Sequence, residues 1–97
     1  MEVPRRLALE VSGDLTAEAG AALLETVRRA CIQPGCELTL DLSTVRSIDA
    51  HGLGAIVSGQ QIAQATGGSL ALERVHPEVA RIFHLTGLSL VVPIVHS

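Results

Sequence analysis

Lysine, tryptophan and tyrosine are absent from this 97-residue chain, and Phe83 is its only aromatic residue. Without aromatic rings there is no platform for base stacking and no cage for a quaternary ammonium group. All seven basic residues are arginines, the net charge is −3, and Arg5–Arg6 and Arg28–Arg29 are isolated pairs rather than a stripe. A nucleic-acid surface needs a clustered positive face, so nucleic acid is set aside as a partner. Cysteine is scarce: Cys31 and Cys36 stand alone at C-x4-C spacing. Two reduced thiols are the expectation, because a zinc site would need two further ligands at finger-like spacing. The opening MEVPRR passes straight into a strand-like pattern with no long apolar leader, which points to a cytoplasmic location. Charge is also missing from one whole segment: no Asp, Glu, Lys or Arg lies between Asp49 and Glu73. That segment is too polar and too interrupted by glycine to enter a membrane directly. A soluble helix with no charge on its outer face normally faces more of its own core or a partner.

What the chain does have is aliphatic bulk. Apolar residues make up 47% of it, enough for one domain spanning residues 1–97 with a genuine core. Leu7, Leu9 and Val11 alternate with Ala8, Glu10 and Ser12, and Leu38, Leu40 and Leu42 alternate with Glu37, Thr39 and Asp41. Leu70 and Leu72 repeat the pattern with Ala71 and Glu73. Period two predicts strands with one apolar and one small or polar face, so helices should cover mainly one side. Three helices are expected between the strands. The first is capped by Thr16 and buries Leu23, Leu24, Val27 and Cys31. The second starts near Gly52, with Asp49 as its cap, and ends at Gly67–Gly68. It buries Leu53, Ile56, Val57 and Ala63, leaving Ala55, Gly59 and Ile62 as a second, small-residue stripe. The third has Pro77 at its first position and stops at Gly87. The tail LVVPIV reads as a short edge strand. The whole is an α/β domain: a small, mostly parallel four-stranded sheet with helices packed mainly on one face.

Ligands of such sheets collect at the carboxyl ends of the strands, where Asp41, Ser43, Asp49 and His51 fall. The residues point to no reaction. Ser58–Gly59 lies inside a helix rather than on a nucleophile elbow, and the glycines form neither G-x-G-x-x-G nor a P-loop. Asp41, Asp49 and His51 make a poor metal site, because a helix N-terminus repels cations. His76, His84 and His96 read as surface or capping residues. No catalytic residue, metal or cofactor is expected.

Taken together, these motifs resemble the STAS domain, the fold of bacterial anti-sigma factor antagonists. The resemblance rests on Asp41-Leu42-Ser43, Ile48-Asp49-Ala50-His51-Gly52-Leu53-Gly54, Gly67-Gly68, His76-Pro77-Glu78-Val79 and Leu85-Thr86-Gly87-Leu88. Val11-Ser12-Gly13-Asp14-Leu15 adds to it. It implies the STAS-like fold in a form short at both ends, without the additional N-terminal strand and C-terminal helix of many relatives. It further implies docking of a partner through the second helix and the preceding loop, the partner often being an anti-sigma factor that is also a serine kinase-like ATPase. The contact set expected here is His51, Gly52, Ala55, Ser58, Gly59 and Ile62. Relatives carry a phosphorylated serine just before the glycine, and its phosphate breaks the complex. The matching position is His51, beside Ala50, so the resemblance implies docking without that switch. A STAS subunit of a transport assembly, like the small partner of lipid-exporting ABC ATPases, is the alternative. A nucleotide-binding module is another, and a homodimer is left open.

Overall fold

The computed structural model describes residues 5–95. The elements run β1 (Arg5–Glu10), α1 (Ala17–Ala30), β2 (Cys36–Asp41), α2 (Ala50–Ala65), β3 (Ser69–Glu73) and α3 (Pro77–Thr86). A 3-10 turn (Leu88–Leu90) and β4 (Ile94–Val95) follow. The four strands form one sheet in the order β1-β2-β3-β4, and every neighbouring pair is parallel. A parallel neighbour cannot be reached by a hairpin, and the three helices supply the crossovers. Register sets Leu7 beside Leu38 and Leu9 beside Leu40, then Leu38 beside Leu70 and Leu40 beside Leu72. Leucines therefore run in rows across one face. Leu38, Leu40, Leu70 and Leu72 are sealed in the core, while Glu37, Thr39, Asp41, Ala71 and Glu73 on the other face stay half-exposed. The alternation in the sequence is thus the alternation of the sheet. Leu9 departs from the expectation and is only half-buried, because among the described residues β1 is an edge strand with one neighbour instead of two.

The helices cover the leucine face, and α2 lies centrally against both α1 and β3. Here the facing read from the sequence needs correction. Ala55 and Gly59, expected on a free stripe, are buried, and so is Gly52. A Cβ on Gly59 would stand 3.2 Å from Leu70 Cδ1 and 3.6 Å from Val27 Cγ2; one on Gly20 would stand 3.3 Å from Ala55 Cβ. The small residues are the seam along which α1 and α2 approach closely. Leu53 and Val57, expected inside, are instead half-exposed. Apolar residues surround α2 on every side, so its periodicity does not choose between faces. The absence of charge fits a helix packed against both α1 and the sheet.

Other details follow local rules. Thr16 occupies the α1 cap position but makes no side-chain capping bond. Leu24 is half-buried where Leu23 and Val27 are buried. Pro77 opens α3, and Gly87 ends it in the left-handed region at φ 80°. Leu88 then folds into the core that holds Phe83. The tail is less regular than expected: after the 3-10 turn, Ile94 and Val95 are the described residues that pair with β3. His96 lies outside the described residues.

Candidate docking site

The loop entering α2 is fixed by its own backbone. Leu15 and Ile48 form an isolated parallel bridge, with Leu15 N donating to Ser47 O at 3.0 Å and Asp49 N donating to Leu15 O at 3.3 Å. Gly52 is required at this crossing, since a Cβ there would run into the Leu15 carbonyl oxygen and stand 2.8 Å from Ile48 Cγ1. Asp49 is the helix cap, its Oδ1 accepting from Gly52 N at 3.0 Å. That bond holds the Asp49 carboxyl below its ordinary range, and the nearby His51 acts in the same direction. His51 Nδ1 lies 3.7 Å from Asp49 Oδ2, and its ring is 72% exposed, so the imidazole stands free at the mouth of the loop. Asp41 is occupied separately: Ser43 N donates to its Oδ1 at 2.8 Å, which lowers its pKa, with Arg74 4.0 Å away. Both carboxylates serve the backbone turns that hold them. Among the described residues no group of three acidic, histidine or cysteine side chains is placed to hold a metal ion.

Of the six contact residues expected from the sequence, the structure leaves His51 open and Ser58 half-open. Gly52, Ala55 and Gly59 are withdrawn into the chain's own core. Ile62, on the helical face shared by Ala55 and Gly59, is half-buried against that core. The free side of α2 is another face. Leu53, Gly54, Val57, Ser58 and Gln61 form one wall of a shallow groove of about 660 Å³, whose other wall is Thr86, Gly87, Leu88 and Val91. No charged residue lines it. At the end of α3 and in the turn beyond it Leu85 is 74%, Leu90 89% and Val91 56% exposed. Isolated exposed apolar residues are ordinary, and of these three Val91 lines the uncharged groove.

One residue that sequence reasoning missed holds this groove in place. Gln60 is the buried polar residue of the core. Its Oε1 accepts from Leu70 N at 2.8 Å and its Nε2 donates to Val91 O at 3.1 Å. β4 begins too late to reach Leu70, so the amide stands in for a ladder partner and ties α2 to the tail. The only sign in the sequence is a glutamine within an uncharged helix. His76, read as a surface or capping residue, stands at the N-cap position of α3 without a side-chain capping bond, and its Nε2 lies 2.7 Å from Ser43 O, joining the start of α3 to the loop after β2. No helix among the described residues is long and apolar enough to cross a membrane.

This geometry has counterparts. The family model described as Mlab, STAS domain, matches residues 2–93. The anti-sigma-B factor antagonist of Bacillus subtilis (strain 168) is 29% identical over 86 residues, covering 89% of this chain and 78% of its own length. The anti-sigma F factor antagonist of Paenibacillus polymyxa is 28% identical over 89 residues, covering 91% of this chain and 76% of its own. A crystal structure of a candidate anti-sigma factor antagonist from Thermotoga maritima superposes with a TM-score of 0.86 at 28% identity, over 98% of this chain and 82% of the other. The parallel leucine-faced sheet, the capped loop before α2 and a family match over nearly its whole length make this chain a member of the STAS domain family, similar to anti-sigma factor antagonists.

Proposed function

We propose that the chain is a non-enzymatic binding module of the anti-sigma factor antagonist kind. In this reading it docks a regulatory protein of the serine kinase-like ATPase type through the loop at Asp49–Gly54 and the outer side of α2. The observation that carries it is the uncharged groove of Leu53, Val57, Ser58, Leu88 and Val91 beside the exposed His51. A groove of this kind gains by excluding water from apolar side chains. A charge introduced there would be buried without a partner when the complex forms. Val57→Glu and Val91→Glu should therefore abolish capture of a purified candidate anti-sigma factor, measured by calorimetry, while the circular dichroism spectrum stays unchanged. Unaltered affinity in both variants would place the interface elsewhere.

Regulation in this reading does not pass through a serine at the loop. Ala50 and His51 occupy the positions where relatives carry hydroxyls, and neither can form a phosphoester. Incubation with ATP and the candidate kinase should leave the intact mass unchanged, whereas His51→Ser should gain one phosphate and lose binding. The phosphate would sit at a helix N-terminus, locally stabilised yet carrying about −1.5 to −2 charges into the contact. A stoichiometric phosphate on the parent chain would overturn the proposal. A second reading, a STAS subunit of a membrane transport assembly, is favoured by the Mlab description of the matching family model. Co-purification with an ABC-type ATPase in place of an anti-sigma factor would decide for it.

A further inference from the structure

We infer that two copies of this chain pair antiparallel through β1, joining their sheets across the edge that lies away from the groove. Among the described residues β1 has β2 as its only neighbour, so one side of its backbone has no partner among them. Which residues offer that side follows from the ladder. Val11 N donates to Asp41 O at 3.0 Å, so odd-numbered residues of this strand direct their N–H and C=O groups toward β2. Arg6, Ala8 and Glu10, one position out of phase, therefore direct theirs outward.

An antiparallel pair exchanges hydrogen bonds only between outward-facing residues placed directly opposite each other. The two-fold register that uses the full set puts Ala8 opposite Ala8 of the second copy and Arg6 opposite Glu10 in both directions. Each such pair exchanges two bonds, giving about six in all. The side chains agree with that register. Arg6 and Glu10 lie on the face of the sheet away from the helices, both exposed, and Arg6 already reaches Glu37 Oε2 at 3.1 Å along the same face. In the pair its guanidinium would lie between Glu37 and the Glu10 of the other copy, an attractive cross-strand arrangement. On the helix face Leu7 of one copy would meet Leu9 of the other at a close, non-hydrogen-bonded position. Leu7 is 39% exposed and Leu9 half-buried in the chain alone, an unusual degree of exposure for leucines facing a core. Leu9 also lines a cleft of about 270 Å³ between β1 and α1, together with Val11, Ala19, Ala22 and Leu23. The second copy's Leu7 would fall at its mouth.

Exposed edges are usually protected by charges that repel a second strand. Here the charges are of opposite sign and spaced so that self-pairing brings them together, which is why a second copy is the occupant argued for. Because β1 and the groove beside α3 lie toward opposite ends of the strand order, the pair leaves the proposed docking surface free, and neither inference depends on the other.

Sedimentation equilibrium of the full chain tests this. A concentration-dependent dimer is expected. Arg6→Glu and Glu10→Arg, both at exposed positions, should each weaken it by about tenfold or more, since two cross-strand pairs are reversed at once. The double variant R6E/E10R restores opposite charges across the pair and should dimerise more tightly than either single variant, although the bond from position 6 to Glu37 is then lost. Ala8→Cys places two thiols on Cα atoms about 5.5 Å apart, within disulfide range. It should give a diamide-induced covalent dimer that the parent chain, whose Cys31 and Cys36 are buried, does not. A monomer at all concentrations would overturn the inference. So would a dimer indifferent to either charge reversal, a double variant no better than the singles, or Ala8→Cys that fails to cross-link.

Discussion

The same substitution at two glycines of α2, two residues apart, should have opposite effects on stability. Gly54 has open space where a Cβ would go, so Gly54→Ala adds a better helix former at no steric cost. The gain is about 0.5–1 kcal/mol, mostly from the smaller entropy of the unfolded chain. Gly52 sits where the helix crosses the Leu15 backbone, and its Cβ would overlap the carbonyl oxygen of Leu15 and crowd Ile48. A backbone oxygen held by the Asp49 N–H cannot rotate away as a side chain can. The start of α2 must shift, and overpacking of this kind costs about 1–3 kcal/mol. Between these extremes, Gly59→Ala would set a Cβ 3.2 Å from the buried Leu70 Cδ1, a side-chain contact that has to give by a few tenths of an ångström, with Val27 at ordinary distance. Urea unfolding of the parent and the three variants, followed by far-UV circular dichroism, measures the order Gly54→Ala, Gly59→Ala, Gly52→Ala. For a chain of this length each kcal/mol moves the melting temperature by about 4–8 °C, so heat unfolding should resolve the extremes. A Gly52→Ala variant as stable as the parent would refute the claim that this glycine is kept for the crossing. It would return Gly52 to the set of residues available to a partner.

Three further outcomes are expected. Leu40 is fully enclosed between β1 and β3 under the helices, and Leu40→Ala should cost about 2–5 kcal/mol in the same unfolding assay. Both thiols are buried, and burial first, and then the adjacent Cys36, push the Cys31 thiol up to about 12; Cys31 should not react with a thiol reagent at pH 8 until the chain unfolds, and Cys36 is closed off by its burial. Prompt native-state labelling of both would contradict that packing. Asp49 and Asp41 have folded pKa values below the ordinary carboxylate range, so their contribution is present above about pH 4 and lost as pH falls through the depressed values. Asp49→Asn should keep a cap while flattening part of the loss of stability below about pH 4. An unchanged acid slope would show that Asp49 contributes nothing to it.

Much of this was legible from residue order alone. Alternating leucines give the strands and their buried face, because a strand puts alternate side chains on opposite sides whatever surrounds it. Pro77 and Gly87 bound α3, and Asp49 caps α2, because those roles depend on one residue's backbone freedom or its reach to a nearby N–H. The motifs around Asp41, Asp49–Gly54 and Leu85–Leu88 carry the family for the same reason: each is a local turn with strict chemistry. The facing of α2 was not legible. A helix apolar on every side carries no preferred direction of its own, and its neighbours decided that Ala55 and Gly59 pack inward while Leu53 and Val57 look out. Leu9 was read as core because its pattern matches that of Leu40, and only the strand order makes it an edge residue. Gln60 had no local signature, since its two partners lie 10 and 31 residues along the chain. The sequence by itself therefore determined which segments become strands and helices and what sits at their ends. Tertiary structure alone decided which side of α2 and which edge of the sheet stay exposed, because exposure depends on what the rest of the chain covers.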